Sequence, residues 1–338
     1  MKSIAVGIPV FARSVARCTD VIAFVLLSAM LNSLAFAENN KLPKIGALWF
    51  QDQVGAALYQ KLLHDALRDL GYVDGKTATF VTRFAQGDAT KLPALLTDIL
   101  SQKVDVMFLT PWALELAKQT TNATPIVSFF FDPIAEGVAK SLARPSGNIT
   151  GISWQSTESS GKRMQYVMEL IPGIKQVTML YDPTDSGVAL DAQSTRNVAA
   201  GVGIKVDSVT FSNATELESS FSRIARAKPR AMIVVHSPLT VQHREQIVRF
   251  AIRANLPLVS EGPDWAQAGA LLSYGPNIAD IFKRTAAYMN KILKGAKPGD
   301  LPIEQPTLFV LAVNQKTAKA IGIKISEPIL LRADEVIR

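Results

Sequence analysis

From Lys44 onwards the chain alternates between short apolar β-type runs and longer stretches whose apolar residues recur at helical spacing, and no other feature constrains its fold as strongly. A strand that runs parallel to its predecessor needs a crossover of about a dozen residues, which a helix supplies. Strand-helix alternation therefore specifies parallel sheets covered on both faces. The first series has strands at Lys44–Phe50, Thr77–Phe84, Val104–Leu109 and Ile126–Phe131. Its helices carry Leu58 to Leu70, closed by Gly71; Leu92 to Leu100, behind the cap Asp88; and Trp112 to Thr120. After a strand over Ile149–Trp154 the pattern restarts. Strands at Gln176–Tyr181, Ile204–Thr210, Ala231–Val235 and Leu258–Ser260 alternate with helices over Ser159–Ile171, Gly187–Ala200, Thr215–Ala227 and Thr240–Asn255. The expected architecture is α/β, two Rossmann-like lobes with parallel sheets and a ligand cleft between them.

Residues 126–154 form the joint. The apolar run stops at Asp132-Pro133, a small helical segment follows, and Arg144-Pro-Ser-Gly147 turns the chain into the next strand. The tail is less regular: strands at Ala270–Tyr274 and Leu308–Val313, helices at Ile278–Leu293 and Gln315–Ile321, and an extended stretch over Pro302–Pro306. A tail arriving after the second lobe is nearly complete is expected to recross between lobes and make a hinge. The first lobe is assigned residues 38–154 plus about 277–306, and the second 155–276 plus about 307–338.

Residues 1–37 are read as a cleaved signal peptide. Lys2, Arg13 and Arg17 precede a short apolar core, Val21–Leu31, and Ala35-Phe36-Ala37 has the small-x-small pattern of a cleavage site. Export to the periplasm follows from that reading. An uncleaved anchor is the rival, but about 20 apolar residues are needed to span a bilayer. The single cysteine, Cys18, precedes the apolar core, so the mature chain is expected to have no disulfide, thiolate metal site or cysteine nucleophile. The formal charge of +7 falls to +5 once the leader is removed, and its basic residues are scattered, which argues against a nucleic-acid partner.

In open parallel sheets, ligands bind beyond the carboxyl ends of the strands. The candidate binding residues there are Trp49, Gln51, Thr110, Asp132, Trp154, Tyr181, His236, Glu261 and Tyr274. Three of the four tryptophans fall at or just after strand ends, all but Trp265, which suits an aromatic-lined cleft for a small organic solute. Each candidate has a plainer reading. Trp49 and Trp154 serve equally as core side chains, and Asp132 before Pro133 serves equally as a turn or helix cap. No catalytic residues, metal site or cofactor are expected. His236 and Ser237 are adjacent on a strand and point to opposite faces, and no G-x-S-x-G surrounds Ser237. Zinc spacings and phosphate-binding glycine loops are lacking too. The reading is therefore a binding protein and not an enzyme.

Five stretches carry a family resemblance: ALRDLGYVDGK at 66–76, KLPALLTDILSQKVDV at 91–106, FDPIAEGVAKSLARPSGNITGIS at 131–153, and two longer ones at 273–307 and 316–337. Together they resemble the ABC transporter substrate-binding family related to tryptophan/tyrosine uptake receptors. The resemblance implies a type I periplasmic binding protein, with two Rossmann-like lobes joined by three crossings. It also implies a monomeric receptor that closes on a solute of amino acid or aromatic acid type and delivers it to an ABC permease complex in the inner membrane. One departure stands out. The family's glycine-containing loop after the third strand, commonly ending Gly-Thr-Pro, is replaced by Val106-Met-Phe-Leu-Thr-Pro111. Thr110 and Pro111 survive; the glycines that would let backbone N–H groups approach an anionic head do not. Trp49, Phe50 and Trp112 fill positions where smaller residues are common, implying a narrower pocket. Two rivals remain at this stage: a sensory binding module with the same fold but a signalling partner, and an exported α/β enzyme.

Overall fold

The computed structural model describes residues 41–145, 147–154 and 156–338, the side chains of 156–158 excepted. The leader assigned to 1–37, with Cys18, lies outside the described residues. Among the described residues, twelve strands form two sheets. The first contains β1 (Lys44–Trp49), β2 (Thr79–Phe84), β3 (Val106–Leu109), β4 (Ile126–Phe130) and β5 (Ile149–Ser153) in the spatial order β2-β1-β3-β4-β5, every pair parallel. The second contains β6 (Gln176–Tyr181), β7 (Lys205–Thr210), β8 (Met232–Val234), β9 (Leu258–Ser260), β10 (Leu272–Pro276), β11 (Phe309–Asn314) and β12 (Glu335–Ile337) in the order β12-β11-β10-β9-β8-β6-β7.

The central strands β3, β4, β8 and β9 are buried along their whole length, as strands covered on both faces must be. Helices do the covering. On one face of the first sheet, Gln53–Asp69 lies against Ile278–Leu293, with Leu63, Leu67, Ile281 and Met289 buried among them. The helix Gln53–Asp69 starts where Asp52 accepts a hydrogen bond from the Gly55 N–H at 2.7 Å. Gly151 in β5 has φ +154°, and a Cβ there would sit 1.9 Å from the Ser128 carbonyl oxygen. Only glycine lets β5 pair this closely with β4.

The chain passes between the sheets three times. It leaves the first after β5, returns with the helix Ile278–Leu293 and the bridge between Ile152 and Glu304, and re-enters the second at β11.

Three local features differ from the sequence reading. β11 runs antiparallel to β10. The chain between them visits the first sheet instead of making a local crossover, so nothing in the connection demands a parallel return. The segment after Asp132-Pro133 is a succession of turns and not a helix. Asp132 Oδ1 accepts from the N–H groups of Ile134 and Ala135, while Glu136 folds back onto those of Phe131 and Asp132. The helix expected over Thr240–Asn255 is two helices, Pro238–Gln242 and Arg244–Arg253, separated at His243. The first is a single turn fixed by a reciprocal cap between Ser237 and Thr240. Beyond the expected elements, the chain adds helices at Pro263–Ala268 and Glu327–Arg332 and the edge strand β12.

Candidate functional site

The strand order of the first sheet reverses direction between β1 and β3, which opens a crevice beyond their carboxyl ends. Trp49 and Gln51 reach it from β1, Thr110 and Pro111 from β3, Phe129–Phe131 from β4, and Trp154 from the end of β5. Across from them lie His236 and Pro238, which follow β8 of the second sheet; Tyr59 and Phe282 close it from helices. The space among these side chains, open solvent included, is about 500 Å³. One set of rings runs through it in contact, with centroids 4.8 Å apart for Trp49–Phe108, 5.2 Å for Phe108–Phe129, 5.7 Å for Phe129–Trp154 and 4.9 Å for Trp154–His236. The last pair is stacked, at 24° between planes. Such a lining favours a flat, apolar body.

Few polar atoms face this lining. Trp49 Nε1, Gln51 Oε1 and His236 Nδ1 are buried and have no hydrogen-bond partner among the described residues. Buried polar groups normally have partners, so these three are free to bond a molecule held in the cleft. Burial holds His236 below the usual imidazole range, which leaves the ring neutral.

The charged groups lie one layer behind the rings. Glu261, fully buried, accepts from Trp154 Nε1 at 3.2 Å and from Ser159 Oγ at 2.9 Å, and pairs with Arg163. The same guanidinium donates to both carboxylate oxygens of Asp191, at 3.1 and 3.2 Å. Burial pushes the Asp191 carboxyl up, although Arg163 opposes it. Burial also works against the Arg163 charge, but the two carboxylates outweigh it and keep the guanidinium protonated. On the other flank, Tyr59 donates to Asp264 Oδ2 at 2.8 Å, and Arg244 pairs with that same carboxylate. Burial, then the Asp264 charge, raises the Tyr59 phenol well above its ordinary value.

Several contacts tie the two sides together. The Asp52 N–H donates to Gln242 Oε1 at 2.9 Å, and Gln242 Nε2 returns a bond to Asp52 Oδ2 at 2.8 Å. Gly187, in the first turn of a second-sheet helix, faces Phe131 so closely that a Cβ would lie 2.4 Å from the ring. Gly187→Ala should act as a wedge in this seam without disturbing either sheet. We expect a ligand affinity about tenfold weaker with little loss of stability in the absence of ligand, checked by calorimetry beside chemical denaturation.

Glu136 sits in the same seam. Burial pushes its carboxyl up to about 7, opposed by the N–H groups of Asp132 and Phe131 and helped by the charges of Asp185 and Asp132. Asp185, the cap of the facing helix, is itself raised by burial, and the Lys118–Glu115 pair lies beside them. A carboxyl whose pKa is raised in the closed form favours that form while protonated. Affinity should therefore be highest near pH 5, fall by less than about tenfold per unit as the pH rises through 7, and then level off. Calorimetric titration across that range should show the slope, and Glu136→Gln should flatten it.

Of the residues named from sequence, Trp49, Gln51, Thr110, Trp154 and His236 line the cleft, and Glu261 stands behind it, bonded to Trp154. Asp132, Tyr181 and Tyr274 do not line it. Asp132 caps the turn after β4, Tyr181 lies under the Arg196 guanidinium, and Tyr274 stacks on Phe309 at 5.8 Å on the far side of β10. Sequence reasoning missed Tyr59, Phe108, Phe129 and Phe282, which reach the cleft from helices or mid-strand, and the buried Arg163, Asp191 and Asp264. A signal for Arg163 was present: a lone arginine on a helix face otherwise set by Met164 and Val167. Ser237 is a helix cap, its Oγ accepting from the Thr240 N–H at 3.0 Å. No group of metal-ligating side chains occurs among the described residues.

This geometry has relatives. A tyrosine-binding protein of Clostridioides difficile is 23% identical over 261 residues, spanning 77% of this chain and 75% of its own length. A Streptococcus pneumonia ABC domain in complex with L-Trp superposes with a TM-score of 0.81 at 23% identity, over 88% of this chain and 100% of that one. A ligand-free, open substrate-binding protein with adhesive properties from Clostridium difficile gives 0.61 at 20% identity, over 88% and 99%. The fold is that of the type I periplasmic binding proteins. A family model described as ABC transporter substrate binding protein matches residues 51–337, nearly all of the two-sheet body, and the chain belongs to that family.

Proposed function

We propose that this chain is an extracytoplasmic receptor that closes over one small solute with a planar aromatic body and hands it to an ABC permease. In this reading residues 1–37 direct export to the periplasm and are removed, and the receptor works there as a monomer. The observation that carries the reading is the set of contacting rings from Trp49 to His236, flanked by three buried polar atoms without partners among the described residues. Trp49, Gln51, Thr110, Trp154 and His236 are the residues proposed to bear on the solute. The L-Trp in one related structure and the tyrosine of one related protein belong to the same class of flat-bodied molecule.

Closure is part of the proposal. The Asp52–Gln242 bonds and the packing of Gly187 on Phe131 belong to a shut cleft, and the higher TM-score against the L-Trp complex than against the open structure agrees with that. Such contacts, made only when the lobes meet, are what a ligand must favour to shift the protein from open to closed. Calorimetry of ligand-free protein against aromatic and aliphatic solutes tests the reading. Binding is expected for aromatic bodies and not for sugars or branched aliphatic amino acids. Tyr274→Phe, a change remote from the cleft, should leave it unaltered.

A further inference from the structure

The polar head of the solute can be read from what the cleft withholds. A carboxylate held between two α/β lobes needs a cation or a cluster of free backbone N–H groups, usually at a helix start. At each of four places around this cleft, nearby donors are already engaged within the chain. At the helix Gln53–Asp69, the Gly55 N–H goes to Asp52 Oδ1 and the Asp52 N–H to Gln242. After β3, Pro111 has no N–H, the Thr110 N–H goes to the Leu48 carbonyl, and the Ala113 N–H goes to that of Thr110. Following β8, Pro238 has no N–H, and Ser237 and Thr240 cap each other. Beyond β4, the N–H groups of Phe131 and Asp132 both donate to Glu136 Oε1 at 2.7 Å, so the chain's own carboxylate fills that site.

Nor does a charged side chain line the cleft among the described residues. The ions nearest the rings are paired with each other: Glu261 and Asp191 with Arg163, and Asp264 with Arg244. A carboxylate or zwitterion entering here would lose its hydration with no ion in the lining to replace it, and an ammonium would have only ring faces to pair with. The side chains of the lining offer only neutral groups: an indole N–H at Trp49, an amide oxygen at Gln51, an imidazole nitrogen at His236 and, as an acceptor, the Thr110 hydroxyl that donates to the Leu48 carbonyl.

We propose that the cleft selects a planar solute whose head carries no formal charge, and that this head gives an acceptor to Trp49 Nε1 and a donor to Gln51 Oε1. The inference rests on the aromatic-receptor reading above and narrows it: amino acids and aromatic acids share the body but not the head.

Two matched series test it, each holding the ring constant and changing only the head. The first is indoleacetamide, indoleacetate, tryptamine and L-tryptophan; the second is phenylacetamide, phenylacetate, phenethylamine and L-phenylalanine. All are titrated calorimetrically into ligand-free full-length mature protein at neutral pH. In at least one series the amide should bind more than about tenfold tighter than every charged member. Trp49→Phe and Gln51→Leu, each removing one polar contact from a folded variant, should each weaken the amide by about tenfold and leave the order of the charged members unchanged. A carboxylate, amine or amino acid that binds as tightly as the amide overturns the inference and leaves the aromatic-receptor reading standing. So does an amide affinity untouched in both variants. Failure of every member of both series to bind overturns the underlying reading and the inference with it.

Discussion

Trp154→Ala should abolish measurable solute binding and destabilise the protein by about 3–5 kcal/mol, the usual range for removing a buried tryptophan. Trp154 does three things at once. Its ring stacks on His236 at 4.9 Å, packs on Phe129 at 5.7 Å, and its Nε1 donates to Glu261 at 3.2 Å. Those partners come from both sheets, so the truncation opens a void at the point where the sheets meet. Trp154→Phe separates the contributions. It keeps a ring against Phe129 and His236 but removes the N–H, and we expect about 1–2 kcal/mol of lost stability with a reduced but measurable affinity. Urea denaturation gives the first quantity and calorimetry the second.

Arg163→Met should cost about 3–5 kcal/mol, because it strands two buried carboxylates without their cation. Arg163, Glu261 and Asp191 are all fully buried, so water cannot replace the lost partner. The sign of the pH dependence follows. In the variant the guanidinium no longer opposes the burial of Asp191, so the folded-state pKa of that carboxyl rises further above the unfolded one. Stability is then retained at low pH and lost as pH rises through the raised value. The variant should therefore denature more easily at pH 8 than at pH 5. Adding Glu261→Gln and Asp191→Asn to Arg163→Met should recover most of the loss, since neutral amides keep hydrogen-bonding capacity without the charge. A denaturation midpoint for Arg163→Met that does not move with pH would contradict the assignment.

Most of the fold was legible because the alternation of apolar runs and helical stretches is a local signal with long-range consequences. β6 and β9 have the spans expected from sequence, and so does the helix Ile278–Leu293. The failures have local causes. Pro238 begins a helix, started by the Ser237–Thr240 cap, that ends after one turn at His243, and no periodicity over Thr240–Asn255 reveals that break. The turns after Asp132 follow from Glu136 capturing two backbone N–H groups, a contact that spacing alone does not show.

The site was legible at strand ends and obscure elsewhere. Trp49, Gln51, Thr110, Trp154 and His236 sit at or just past the carboxyl ends of strands, where the topology of an α/β sheet directs attention. Tyr181 and Tyr274 obey the same rule in sequence, yet their side chains leave the strands on other faces, because alternation along a strand reverses direction at each residue. Phe108 and Phe129 lie within strands whose every residue is buried, so hydrophobicity gives no hint of which face meets the cleft. Arg163 and Asp191 come from separate helices and become partners only when those helices pack side by side.

The central claim is that the two sheets close on a flat aromatic solute held by the rings between Trp49 and His236. Calorimetric titration of refolded, ligand-free protein with a panel of aromatic and saturated solutes, run in parallel on Trp154→Ala, tests it most directly. The account expects one-to-one binding confined to aromatic members and lost in the variant. Binding by saturated solutes alone, or aromatic binding undiminished in Trp154→Ala, would contradict it.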